Sequence, residues 1–124
     1  MTRTILVVDD EEDVREIVSM GLEMGAGWHI LTASSGREAI TIAAEEQPDA
    51  ILLDLMMPDM DGRATLQQLK ANAATRSIPV LLVTAKMQQS TQTELQKLQV
   101  EAVLAKPFRP LKLAEQIRAA LGWS

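Results

Sequence analysis

The chain has 124 residues, 47% of them apolar but only 2% aromatic, which is enough for one domain with an aliphatic core. A net charge of -5 with no basic run argues against a nucleic-acid or anionic-membrane partner, since both are recognised through clustered Lys and Arg. The absence of Cys excludes a disulfide framework and thiolate metal sites, no apolar stretch nears transmembrane length, and no signal peptide opens the chain, so a single cytoplasmic domain over residues 1–124 is expected.

Strand-like and helix-like segments alternate along the whole chain. Residues 4–8 read as a buried strand, and residues 11–25 as a helix with Val14, Ile17, Val18 and Leu22 at helical spacing. Residues 28–33 form a second strand. Ser35-Gly36-Arg37-Glu38 is a capping box that opens a helix running to about Glu46, where Pro48 stops it. Residues 50–53 make a third strand, and Asp61-Gly62 starts a third helix carrying Leu66 and Leu69. Residues 78–83 are a fourth strand with Pro79 near its start. Residues 87–98 are a weaker, Gln-rich helix of marginal local stability, and residues 101–105 a short fifth strand. The last helix follows Pro110, with Leu113, Ile117 and Leu121 on one face. Five β-α units in this order predict a doubly wound α/β sandwich with a five-stranded parallel sheet and five helices. Strands one, three and four are continuously apolar, as strands covered on both faces should be, and the second and fifth suit the edges.

The polar residues of interest sit where the apolar runs stop: Asp9 and Asp10, Asp54, Thr84 and Lys106. In a parallel sheet those ends lie side by side, at the crevice where such folds bind ligands. Three carboxylates brought together repel, by roughly 4 kcal/mol for a pair about 4 Å apart at an effective dielectric near 20. Such a cluster calls for a hard divalent cation with oxygen ligands, and Mg²⁺ takes one or two carboxylates plus waters and a phosphate. Lys106 adds a second cation and Thr84 a hydroxyl. Around one carboxylate these groups form a receptacle for a phosphoryl group, where catalysis is mainly positioning and charge neutralisation. Asp54 is then the group that attacks phosphorus in line and becomes an aspartyl phosphate.

Four motifs stand in order at the ends of alternating strands: Val8-Asp9-Asp10-Glu11, Asp54-Leu55-Met56-Met57-Pro58-Asp59-Met60-Asp61-Gly62, Thr84-Ala85 and Lys106-Pro107-Phe108. On these motifs the chain resembles, over essentially its whole length, the receiver domain of two-component response regulators. The resemblance implies a flavodoxin-like sheet of strand order 2-1-3-4-5. It implies Asp54 as phosphoacceptor, Asp10 as a direct Mg²⁺ ligand, Asp9 as a ligand often acting through water, and the Met56 carbonyl as a further ligand. It implies Thr84 as the hydroxyl that reorients toward the phosphoryl group, Lys106 as the residue that pairs with it, and Pro107 as the usual cis-proline holding Lys106 in place. The implied phosphodonor is a sensor histidine kinase or a histidine phosphotransfer protein. The implied output partner is unidentified and docks on the face formed by residues 87–121. A receiver catalyses its own phosphorylation and dephosphorylation but acts mainly as a signalling switch.

Two departures from the family pattern matter. An aromatic residue usually stands three positions before the Lys and packs inward when the Thr moves. Here that position is Val103, and a β-branched side chain has little rotamer freedom. Positions that tune the phosphoryl lifetime are Met56 and Lys86: Met56 offers no polar group to orient water, and Lys86 can screen the phosphoryl group. Slow hydrolysis is the expectation.

Taken singly, each feature has an ordinary explanation. Asp9-Asp10 resembles a helix N-cap, Asp54 a turn residue before Pro58, Lys106 a solvated strand end, and Thr84 a local backbone cap. Only their joint pattern favours chemistry. His29, in or beside an edge strand, reads as structural, the Met residues as core filler, and Trp28 and Trp123 as edge packing. Two other functions compete. One is a receiver-like interaction module with output independent of phosphate, which Val103 keeps open. The other is a haloacid-dehalogenase-like phosphatase, which wants an Asp two residues after the nucleophile, where this chain has Met56.

Overall fold

The structure, a computed structural model, describes residues 2–55, 57, 62–84, 100–105 and 109–123. In chain order these contain β1 (Thr4–Val8), α1 (Glu12–Ala26), β2 (His29–Ala33), α2 (Gly36–Glu46), β3 (Ala50–Asp54), α3 (Gly62–Ala71), β4 (Val80–Thr84), β5 (Ala102–Ala105) and α4 (Pro110–Leu121). The five strands form one parallel sheet in the order β2-β1-β3-β4-β5, as the resemblance implies. Four of the five expected helices are described; the one expected at 87–98 lies outside the described residues.

Alternation along the strands sends successive side chains to opposite faces of the sheet. One face carries Leu6, Val8, Ile51, Leu53 and Leu82 against Ala39 and Ala43 of α2 and Leu66 and Leu69 of α3. The other carries Ile5, Val7, Leu52, Leu81 and Val83 against Val18 and Leu22 of α1 and Leu113 and Ile117 of α4. β3 and β4 are buried at every residue, because they are central strands covered on both faces. Their apolar runs bring Asp54 and Thr84 to the sheet's C-terminal edge as the last residues of β3 and β4.

Three local features refine the sequence expectation, each for a physical reason. β4 begins at Val80 and not 78, because Pro79 has no N–H for the ladder and the Ile78 N–H turns back to the Thr75 carbonyl at 3.0 Å. Ser35 caps α2 by accepting from the Glu38 N–H at 3.2 Å, but the Glu38 carboxylate accepts from the Ser34 hydroxyl (2.9 Å) and N–H, so the reciprocal half of the box falls one residue earlier. Pro110 is itself the first residue of α4, where its missing N–H is harmless. α2 ends on Gln47, a non-glycine residue at φ 50°. Its side-chain amide donates to the Ala43, Ala44 and Ala74 carbonyls, which offsets that backbone strain and ties α2 to the turn after α3.

Gly62 sits at a tight junction between β3 and α3. A Cβ there would lie 2.6 Å from the Asp54 carbonyl oxygen and 2.7 Å from the Leu55 Cα. The Gly62 N–H also donates to the Leu55 carbonyl at 2.9 Å, closing the loop between β3 and α3. Backbone atoms cannot swing aside as a flexible side chain can. Gly62→Ala is therefore expected to destabilise the fold by roughly 1–3 kcal/mol, the range for overpacking. Urea denaturation of the two proteins measures this, and an unchanged midpoint would refute the close packing.

Candidate metal and phosphoryl site

The parallel register assembles the acids. Val7 pairs with Leu52 and Val8 with Leu53, so continuing one step sets Asp9 beside Asp54 at the sheet edge. Asp10 follows on the same turn. One carboxylate oxygen from each of Asp9, Asp10 and Asp54 lies within 4.8 Å of the others. Asp9 and Asp54 are 3% and 4% exposed, while Asp10 is open to solvent. Like charges at that separation repel by an amount on the order of 3 kcal/mol per pair at an effective dielectric near 20. An all-oxygen donor set, two members buried and one facing water, fits a hard cation that keeps part of its hydration shell.

The local backbone holds this arrangement. The Asp9 N–H donates to the Ala33 carbonyl of β2 at 3.1 Å, and the Leu55 N–H to the Val83 carbonyl of β4 at 2.9 Å, so the sheet hydrogen bonding runs past both strand ends. Asp9 Oδ1 accepts from the Glu11 N–H at 2.9 Å. That bond serves the start of α1, whose N-cap residue Glu11 makes no side-chain capping bond of its own. The first turn of α1 carries Glu12 and Asp13, acids that suit a helix N-terminus.

Arg15 is a contributor that sequence reasoning missed. Its Nη1 donates to the Asp9 carbonyl at 2.7 Å, bringing a guanidinium from inside α1 to the backbone of the acidic edge. The signal available was an Arg two residues after a run of five acids, Asp9 to Asp13, but only the folded turn shows which backbone group it reaches.

Thr84 is buried at the end of β4, paired with Ala105 of β5. Val103, paired with Leu82, is half-buried and packs against the core on the α2 and α3 side of the sheet. The expected positions Met56, Lys86, Lys106 and Pro107 lie outside the described residues, as do residues 87–99 and 106–108 of the expected partner face at 87–121. Among the described residues no helix is long and apolar enough to cross a membrane.

The chain matches the family model described as the response regulator receiver domain over residues 5–118. Among curated relatives it is similar to the phosphate regulon transcriptional regulatory protein PhoB of Pseudomonas aeruginosa, with 34% identity over 119 residues that make up 96% of this chain and 52% of that protein. It is also similar to the alkaline phosphatase synthesis transcriptional regulatory protein PhoP of Bacillus subtilis, with 36% identity over 121 residues, 98% of this chain and 49% of that one. The chain thus spans about half the length of the curated relatives it matches. Because those relatives are transcriptional regulators, the expected absence of a nucleic-acid partner is narrowed to this domain and does not extend to a longer protein. Among solved structures, the chemotaxis response regulator CheY4 of Vibrio cholerae superposes with a TM-score of 0.88 at 28% identity, covering 97% of this chain and 99% of that one. The N-terminal domain of a response regulator receiver protein from Methanoculleus marisnigri gives 0.79 at 38% identity, with 100% of both chains covered.

The carboxylate cluster makes a thermodynamic prediction. Mg²⁺ that binds only the folded state should raise stability, by about 2.7 kcal/mol at 100 times its Kd. The double substitution Asp9→Asn with Asp10→Asn should raise the midpoint measured without divalent ions and abolish most of the gain from Mg²⁺. Chemical denaturation of both proteins with and without Mg²⁺ tests this; an equal Mg²⁺ gain in the two would exclude the site.

Proposed function

We infer that Asp54 is a phosphoacceptor, because this chain belongs to the response regulator receiver domain family and Asp54 is a buried member of its carboxylate cluster, at the end of the central strand β3. Phosphorelay signal transduction is the function of that family and of this domain. The observation that carries the residue assignment is the convergence of Asp9, Asp10 and Asp54 within 4.8 Å.

In the proposed reaction an Asp54 carboxylate oxygen forms a bond to phosphorus as the bond from phosphorus to a donor histidine nitrogen breaks. The imidazole leaves with the bonding pair and is protonated from solvent. The product is an aspartyl phosphate, and water later attacks its phosphorus to restore Asp54. Asp9, Asp10 and Asp54, together with the Met56 carbonyl that the family pattern implies, would hold Mg²⁺. When bound, that ion neutralises carboxylate and phosphoryl charge that would otherwise repel. Thr84 supplies a hydroxyl to a phosphoryl oxygen, and Lys106 a cation. Pro107 positions Lys106. The donor is a sensor histidine kinase or a histidine phosphotransfer protein, and the exposed apolar residues Ile17, Met20 and Met24 along α1 give it a surface to dock on.

Output is proposed to run through Thr84 and the face over residues 87–121, with Val103 as a fixed element. Val103 is packed against the core and held in register with Leu82, so it lacks the large swing an aromatic side chain would make.

Two measurements test this reading. Incubation with Mg²⁺ and acetyl phosphate should give one phosphoryl adduct by intact mass, absent from Asp54→Asn; an adduct that survives the substitution would remove Asp54 from its role. The adduct should also be long-lived, because Met56 offers water no polar guide and Lys86 screens the phosphoryl group. A half-life of seconds in the isolated protein would contradict the proposed effect of those two positions.

A further inference from the structure

The opposite pole of the sheet holds a second concentration of chemistry. Arg3 and Trp28 stand immediately before β1 and β2, Ala26 and Gly27 end α1, Arg118 lies in the last turn of α4, and Trp123 follows that helix. With Thr2 they line a cavity of about 550 Å³ at the N-terminal edge of the strands. The acidic cluster lies at the other edge, roughly 15 Å away along a five-residue strand.

The two Trp rings pack edge to face with centroids 5.6 Å apart. Each carries a guanidinium on its face: Arg3 lies 4.2 Å from the Trp123 centroid and Arg118 5.2 Å from that of Trp28. Trp28 is 7% exposed, so this platform is anchored in the core. Stacking fixes a guanidinium plane while leaving its N–H edge free to donate. Neither Arg3 nor Arg118 has a carboxylate partner among the described residues, in a chain with 17 acids against 12 bases.

We propose that this cavity is a second binding site, for a compact phosphate-bearing small molecule. The volume falls in the ordinary range of small-molecule sites, about 300–1,000 Å³, and exceeds what one monatomic anion needs. Two fixed guanidinium forks offer more donors than a single carboxylate can accept, whereas a phosphate or pyrophosphate group has enough oxygens for both. The competing role for the arginines is to neutralise helix C-termini. α1 and α4 both end here on left-handed Gly27 and Gly122, and a cation in such a last turn contributes about 0.3–1 kcal/mol. That role explains Arg118, which sits in the last turn of α4. It does not explain Arg3, which arrives from the strand side and stacks on the ring of Trp123, a residue beyond that helix.

The chain reports on this site by itself, because Trp28 and Trp123 are its only Trp residues and it has no Tyr. Tryptophan emission of the full chain should be titrated, without divalent ions and at constant ionic strength, with sodium pyrophosphate, orthophosphate and adenosine monophosphate. A saturable change is expected with at least one of them. Preference for the mononucleotide would identify a nucleotide ligand, and preference for pyrophosphate an inorganic one. Arg3→Gln and Arg118→Gln should each weaken binding at least tenfold, and Arg37→Gln, in the first turn of α2 at the other edge of the sheet, should leave it unchanged. A change linear in concentration, one matched by chloride, or one indifferent to both substitutions overturns the proposal and leaves the arginines to the helix ends. Should a variant lose its far-ultraviolet circular dichroism, the wild-type titration against chloride still decides.

Discussion

Like-charge crowding at the sheet edge is the constraint around which this domain is arranged. The register of β1 on β3 is set by apolar pairs such as Val7 with Leu52 and Val8 with Leu53, immediately before the acids. Burial of those pairs is worth far more than the repulsion it forces on the acids that follow. The aliphatic core therefore supplies the energy that holds Asp9 and Asp54 together, and the resulting field makes the edge attractive to a cation. Core packing and signalling chemistry are two ends of the same strands.

The surrounding contacts serve that constraint. Asp9 spends one oxygen on the Glu11 N–H and its carbonyl on Arg15, which fixes the direction of its carboxylate and brings a positive group near. Asp54 and Thr84 are the last residues of fully buried strands, so neither can drift far without breaking ladder bonds. Preorganisation of this kind suits a reaction whose difficulty is charge placement.

Much of this was legible in the sequence. Continuous apolar runs identified β1, β3 and β4, because strands covered on both faces tolerate no polar residue until they leave the sheet. The same rule put Asp9, Asp54 and Thr84 at one edge before any coordinates. What was not legible depends on partners distant in sequence or on fine geometry. Pro79 shortened β4 because a turn claimed the Ile78 N–H. Glu38 chose Ser34 over Ser35, a difference of one residue that periodicity cannot resolve. The bond from Arg15 to the Asp9 carbonyl and the edge-to-face contact of Trp28 with Trp123 need the fold to exist first. Trp28 and Trp123 pack with the core cluster on the α1 and α4 side of the sheet, and nothing in their spacing announced the arginines stacked on them.

The clearance at Gly62 separates two histories that a sequence comparison would otherwise blend. Under the proposed function Asp54 answers to chemistry alone, since a neutral isostere could occupy the same volume. Gly62 is required by the backbone beneath it whether or not any phosphoryl group ever arrives. A descendant that abandoned signalling would be free to shed its acids while keeping that glycine. Loss of the glycine together with the acids would instead mark a loop that had been rebuilt.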